Sequence, residues 1–76
     1  MDTVTKNVAR YVREKRINLS AMARDTGIPY MALYDSLSND GRDREIRGRE
    51  LLRVCKFLGV NPMDFADEPD SGEEVL

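Results

Sequence analysis

Residues 19–37 read LSAMARDTGIPYMALYDSL, and this stretch decides the fold. Apolar residues recur at helical spacing on either side of Gly27, which predicts two short helices that each bury one face. Glycine adopts a positive φ at a helix end without steric penalty, so Gly27 fits the end of the first of these helices. Pro29 suits the first turn of the next helix, where its missing N–H costs nothing. The stretch therefore predicts two helices joined by a glycine turn.

Helical patterns also flank this stretch on both sides. Residues 3–16 place Val4, Val8 and Val12 on one face, and Asn18 is a suitable N-cap for the helix that follows. Residues 49–58 form a fourth amphipathic pattern that Gly59 ends. The pair formed by Asn61 and Pro62 then predicts a cap and a first-turn proline, hence a fifth short helix. No segment of the sequence has the pattern of a strand.

Two segments in this order, residues 19–37 and residues 46–65, resemble the Cro and repressor family, also called Xre-type regulators, of phage and bacterial origin. The resemblance covers about residues 4–65. It implies an all-α domain of the five-helix, lambda-repressor-like type that contains a helix-turn-helix. It also implies that residues 29–38 form the recognition helix, which enters the DNA major groove.

Charge is divided unequally along the chain, whose overall net charge is −2. All 12 lysines and arginines lie in residues 1–66 with nine acids, which gives this part a net charge of +3. The last ten residues carry five acids and a net charge of −5. This pattern predicts a mildly basic helix-turn-helix domain over residues 1–66, followed by an acidic flexible tail over residues 67–76.

Composition excludes several functional classes. A chain of 76 residues has room for one domain with one modest core. It contains no histidine, and its single cysteine, Cys55, lies on the apolar side of a predicted helix and is interpreted as a small core residue. No metal-ligand spacing, nucleotide-binding loop or catalytic pattern is present, so we expect no metal, no cofactor and no enzymatic activity. The absence of a long apolar run or an apolar leader predicts a cytoplasmic protein without membrane contact.

The resemblance assigns base reading to the outward face of the recognition helix. If Ile28 and Leu33 are buried, helical geometry turns the other side chains of this helix outward or toward its N-terminal end. The residues predicted to read bases are Tyr30, Met31, Tyr34, Asp35 and Ser38. None of them is an arginine or a lysine. The tyrosines are suited to phosphate oxygens or thymine methyl groups, and Asp35 to a cytosine amino group.

Phosphate contacts are predicted at three places. Asn18 stands at a helix start, where exposed amides attract phosphate. Arg13, Lys15 and Arg16 lie near the end of the first helix, where they suit either a phosphate or the negative end of the helix dipole, and Arg13 and Lys15 are the two assigned to phosphate. The resemblance places Arg42 and Arg44 in a loop beside the DNA backbone. The alternative for these two arginines is a solvated loop, because acidic residues alternate with them.

Taken together, these features predict a sequence-specific, double-stranded DNA-binding transcriptional regulator that represses by promoter occlusion. The resemblance further implies a homodimer on a palindromic operator, and no small-molecule effector is expected. The alternative is a protein-interaction module on the same scaffold, either antitoxin-like or an adaptor, whose contact face would contain Tyr30, Met31 and Tyr34. A steep salt dependence of binding to random duplex DNA would distinguish the two.

Overall fold

The computed structural model describes residues 2–38, 41 and 44–66, and helices account for all regular structure in that part. The elements are α1 (Thr3–Lys15), α2 (Leu19–Thr26), α3 (Tyr30–Leu37), α4 (Gly48–Leu58) and a 3-10 helix (Pro62–Phe65). The predicted all-α class is confirmed, but the predicted fifth helix is not an α-helix. Its four residues close i to i+3 hydrogen bonds, including one from the Asp64 amide to the Asn61 carbonyl at 2.9 Å.

The turn between α2 and α3 depends on Gly27, as its sequence predicts. Gly27 has φ 77°, and its amide donates to the Ala23 carbonyl at 3.0 Å, which closes the end of α2. α3, the predicted recognition helix, is shorter than the predicted range of residues 29–38. Pro29 has an extended backbone and precedes the first turn of α3 as its N-cap, where its carbonyl accepts from the Leu33 amide at 3.1 Å.

A single apolar core joins all five helices. α1 packs against α3 and the 3-10 helix, and α2 packs against α3 and α4. The buried core residues are Val8, Ala9, Val12, Met22, Ile28, Leu33, Leu37, Ile46, Val54, Cys55 and Phe65. Cys55 is therefore a core residue, as predicted, and burial raises the pKa of its thiol, with a further contribution from the charge of Asp64. Within the described ranges, no helix is both long and apolar enough to cross a membrane.

Polar contacts fasten α1 to the segments that follow α3. The Ile46 amide donates to the hydroxyl of buried Thr5 at 2.9 Å. Asn7 Nδ2 donates to the Phe65 carbonyl at 2.9 Å, and the Phe65 ring meets Tyr11 edge-on, with ring centroids 5.7 Å apart. These contacts fix α1, and α1 packs against the buried side of α3.

Candidate nucleic-acid interface

The outer face of α3 carries three exposed side chains. Tyr30, Met31 and Tyr34 are 44%, 60% and 37% exposed, whereas Leu33 and Leu37 on the opposite side of the helix are buried. The Tyr30 and Tyr34 rings stack, with centroids 6.2 Å apart and planes 21° from parallel. α3 therefore presents a flat aromatic surface with a flexible thioether beside it.

Asp35 and Ser38, the two remaining predicted base readers, have surroundings unlike those of the three exposed residues. Asp35 is half-buried, and its charge contributes to raising the pKa of Arg44. Ser38 is exposed at the end of α3, where its amide donates to the Tyr34 carbonyl at 2.9 Å. Asp35 is thus electrostatically coupled to a cation of its own chain, while Ser38 is accessible from outside.

The start of α2 lies next to this face. Asn18 caps α2, because its side-chain oxygen accepts from the Ala21 amide at 3.0 Å, and this confirms its predicted role as an N-cap. First-turn amides of an α-helix have no carbonyl partner within the helix and carry partial positive charge. The start of α2 therefore offers donors suited to an anionic group.

A groove of 630 Å³ brings these parts together. Its walls come from the end of α1, the start of α2 and both ends of α3, and it is lined by Val12, Arg13, Arg16, Ile17, Asn18, Leu19, Ser20, Tyr30, Tyr34, Leu37 and Ser38. Five predicted site residues thus share one concave surface: Arg13, Asn18, Tyr30, Tyr34 and Ser38. We call this surface the α2–α3 groove.

Of the three basic residues that the sequence places at the end of the first helix, Arg13 and Arg16 line the α2–α3 groove and Lys15 does not, although phosphate contact was assigned to Arg13 and Lys15. Arg16 lines the groove because it adopts a left-handed conformation (φ 54°, ψ 48°) directly after α1, so the chain turns there toward α2. Lys15 is exposed outside the groove, with its ammonium 5.9 Å from the centre of the Tyr11 ring.

The Arg44 side chain links α3 to α4 by hydrogen bonds to a residue of each helix. Its guanidinium donates to both carboxylate oxygens of Glu50, at 3.0 and 2.8 Å, and to the hydroxyl of buried Ser36 at 2.8 Å. The hydrogen bond from Arg44 lowers the pKa of Glu50, with a smaller contribution from the Arg47 amide, while burial opposes the shift. The same bond raises the pKa of Arg44. We call these three residues the Arg44 clamp: Ser36, Arg44 and Glu50.

Arg42, the other loop arginine that was predicted to contact phosphate, lies outside the described residues. The predicted tail over residues 67–76 lies outside them as well.

A second basic surface lies on the other side of the turn before α3. A concave region of 500 Å³ is lined by Gly27, Ile28, Pro29, Arg47, Arg49, Glu50 and Arg53. Its arginines are exposed, and Arg53 reaches to 4.0 Å from the position that a Cβ on Gly27 would occupy. α3 therefore begins between two groups of cations, one in the α2–α3 groove and one at the start of α4.

An exposed recognition helix between cationic flanks, reached through a glycine turn, defines a helix-turn-helix DNA-binding domain. Comparison with known families agrees: residues 7–70 match the family model described as the Cro/C1-type HTH DNA-binding domain, and the chain belongs to this family. The chain is accordingly a DNA-binding regulator whose partner is double-stranded DNA. No curated protein and no solved structure shows significant similarity to it.

Proposed function

We propose that this protein binds double-stranded DNA sequence-specifically, with α3 in the major groove, and represses transcription by occluding a promoter. The observation that carries the proposal is the α2–α3 groove, where exposed tyrosines of α3 adjoin two arginines and the start of α2. Bases are read by Tyr30, Met31, Tyr34, Asp35 and Ser38. The exposure of the first three supports this assignment most directly, because a base reader must reach past the helix backbone.

Phosphates are contacted by Asn18, Arg13, Lys15, Arg42 and Arg44, to which we add Arg16. Support is strongest for the cations of the α2–α3 groove, because within the described part of the chain neither Arg13 nor Arg16 makes an ion pair. Arg44 is already neutralised by Glu50, so its remaining N–H groups serve phosphate only as a secondary role. Its main role is to hold the end of α3 against α4.

The finer features of the proposal concern assembly. Residues 1–66 form the DNA-binding domain, residues 67–76 form an acidic tail, and two copies pair on a palindromic operator. Pairing is favoured because one α3 reaches only a few base pairs, and a second copy doubles the contacts. Repression by occlusion needs no small-molecule effector, since occupancy of the promoter is sufficient.

Selection of bound sites from a random duplex pool, followed by titration, tests the central proposal. Tyr34→Ala should weaken binding to the selected site by about 1–3 kcal/mol, the value of one good base contact, and should leave the helical circular dichroism intact. The matched control is Leu52→Ala, because Leu52 is 61% exposed on α4 and does not line the α2–α3 groove. This control should bind as the unmodified protein does.

Two further measurements test occlusion and pairing. Footprinting should show two half-sites about 10 base pairs apart, the spacing of one helical turn, and a single protected half-site would contradict the dimer. Transcription in vitro should fall when the selected site overlaps the promoter and remain unchanged when the site lies far upstream.

A protein-interaction role for the same face makes the opposite prediction. If Tyr34→Ala leaves DNA affinity at the selected site unchanged in a folded protein, α3 does not read bases and its aromatic surface is available to a protein partner.

A further inference from the structure

The side chains of α3 have an unusual composition for a helix that reads bases. Its eight residues are YMALYDSL, which contain no arginine, lysine, asparagine or glutamine. Bidentate recognition of guanine uses arginine or lysine, and bidentate recognition of adenine uses asparagine or glutamine. Side chains of α3 therefore cannot make either of these two contacts.

What α3 does present is an apolar surface of defined shape. The two tyrosine rings stack, with centroids 6.2 Å apart, and Met31 on the same helix is the most exposed residue of the three. In the major groove, the one apolar group on an unmodified base edge is the C5 methyl of thymine. The surface therefore complements thymine more closely than it complements any other base.

We propose that α3 reads its operator through thymine methyl groups, which contact the Tyr30 and Tyr34 rings and Met31. This inference rests on the proposed sequence-specific DNA binding and names the chemical group that is read. The preferred duplex then carries thymines at the base pairs that face α3, and its affinity depends on their methyl groups.

Cations close to this surface and to the turn before α3 favour DNA as its occupant. Arg13 and Arg16 share the α2–α3 groove with the tyrosines, and Arg47, Arg49 and Arg53 surround the turn before α3. An aromatic surface that shares its groove with cations, with further cations at the turn before it, matches a major groove, where base edges lie beside rows of phosphates.

Replacing thymine by deoxyuridine tests the inference, because this substitution removes the methyl group and leaves the hydrogen-bonding groups in place. Each substitution at a base pair that faces α3 should weaken binding about fourfold, the value of burying one methylene-sized group. Substitution outside the footprint is the control on the DNA and should have no effect.

Protein variants show whether α3 is responsible for this methyl dependence. With Tyr34→Ala or Met31→Ala, the difference in affinity between the thymine and deoxyuridine sites should shrink until the two sites bind almost equally at the affected base pair. Tyr34→Phe should keep the difference, since it retains the ring and loses only the hydroxyl. Leu52→Ala should also keep it, because Leu52 does not line the groove.

Three results would overturn the inference, and only one of them also removes the proposed function. Specific binding that is unchanged by deoxyuridine excludes the methyl contact and leaves sequence-specific binding standing. A selected site without thymine at the base pairs facing α3 does the same. Failure to select any sequence refutes the proposed sequence-specific binding, and the methyl contact is refuted with it.

Discussion

Two groups of arginines near α3 differ in what surrounds them: the groove arginines, Arg13 and Arg16, and the single arginine of the Arg44 clamp. Arg13 and Arg16 are exposed in the α2–α3 groove and form no ion pair within the described ranges. Arg44 donates to Glu50 and Ser36, and its side chain is 29% exposed. A basic residue near a recognition helix is therefore not automatically a phosphate contact. Its partner within the chain decides whether its charge is available to DNA.

The largest expected effect is a difference in unfolding free energy between a variant of Arg44 and a variant of a groove arginine. Arg44→Ala should lower the free energy of unfolding by about 2 kcal/mol, because the Ser36 hydroxyl loses its guanidinium donor and the partly buried Glu50 carboxylate keeps only the Arg47 amide. Chemical denaturation measures this change. Arg13→Ala is the matched control and should change the unfolding free energy by less than about 0.5 kcal/mol, as exposed substitutions do. Equal losses in both variants would show that the two groups do not differ.

Protonation of Glu50 should weaken the Arg44 clamp without any mutation. Because its pKa is lowered in the folded protein, ionised Glu50 stabilises the fold above its unfolded pKa of about 4.3, and this contribution is lost as the pH falls through the folded value. The unfolding free energy should therefore fall as the pH drops below about 4.3 and on through the lower pKa of the folded protein. Glu50→Gln should start lower and show a shallower dependence on pH. Parallel pH profiles for the two proteins would contradict the clamp.

Much of the helical fold follows from local sequence rules. Gly27 in a left-handed turn, Asn18 as a cap and Cys55 in the core were all predictable, because each depends on a few neighbouring residues and on helical periodicity. The family resemblance then gave the correct fold class, although it overcounted the α-helices by one. Four residues after Asn61 are too few for a full α-helical hydrogen-bond pattern, so a 3-10 helix forms instead.

The environments of the arginines were not predictable in the same way. The Arg44 clamp depends on the path of the chain between α3 and α4, which brings residues 36, 44 and 50 together, and no spacing rule describes that path. The same holds for Arg16, which lines the α2–α3 groove because of its backbone conformation. Charge patterning located the basic segments, but only packing separates an available cation from a paired one.

In DNA-binding measurements the variants should rank in the opposite order, with a larger loss of affinity for the groove arginines than for Arg44. Arg13→Ala or Arg16→Ala should weaken binding to every DNA sequence, by roughly fivefold near physiological salt if one phosphate contact is lost. The dependence of log affinity on log salt should become shallower by about one unit for each variant. A loss confined to the selected site would mean that the residue reads bases. An unchanged slope would remove it from the phosphate contacts.

The conformation of Arg16 allows its backbone and its charge to be tested separately. Because a non-glycine residue is strained at φ 54°, Arg16→Gly should raise the unfolding free energy by about 0.5–1 kcal/mol, while Arg16→Ala should not. Both variants lose the charge and should weaken DNA binding alike. Thermal unfolding of the two proteins measures the difference. Equal stability of the two would show that the left-handed turn is not strained.

The smallest expected effect concerns the proposed acidic tail, whose net charge is −5 over residues 67–76. Carboxylates tethered to the domain compete with phosphates for Arg13 and Arg16, which make no ion pair with any described residue, so deleting the tail should raise affinity for random DNA a few-fold at low salt. The effect should disappear at high salt, and it should shrink when Arg13 and Arg16 are both replaced by alanine. A tail of equal length with amides in place of its five acids is the control for chain length, and it should behave as the deletion does. If the deletion instead reduces the dimer fraction and the affinity for the selected site, the tail joins two subunits. If neither quantity changes, the charges of the tail do not reach the groove arginines, and those arginines are available to DNA at all times.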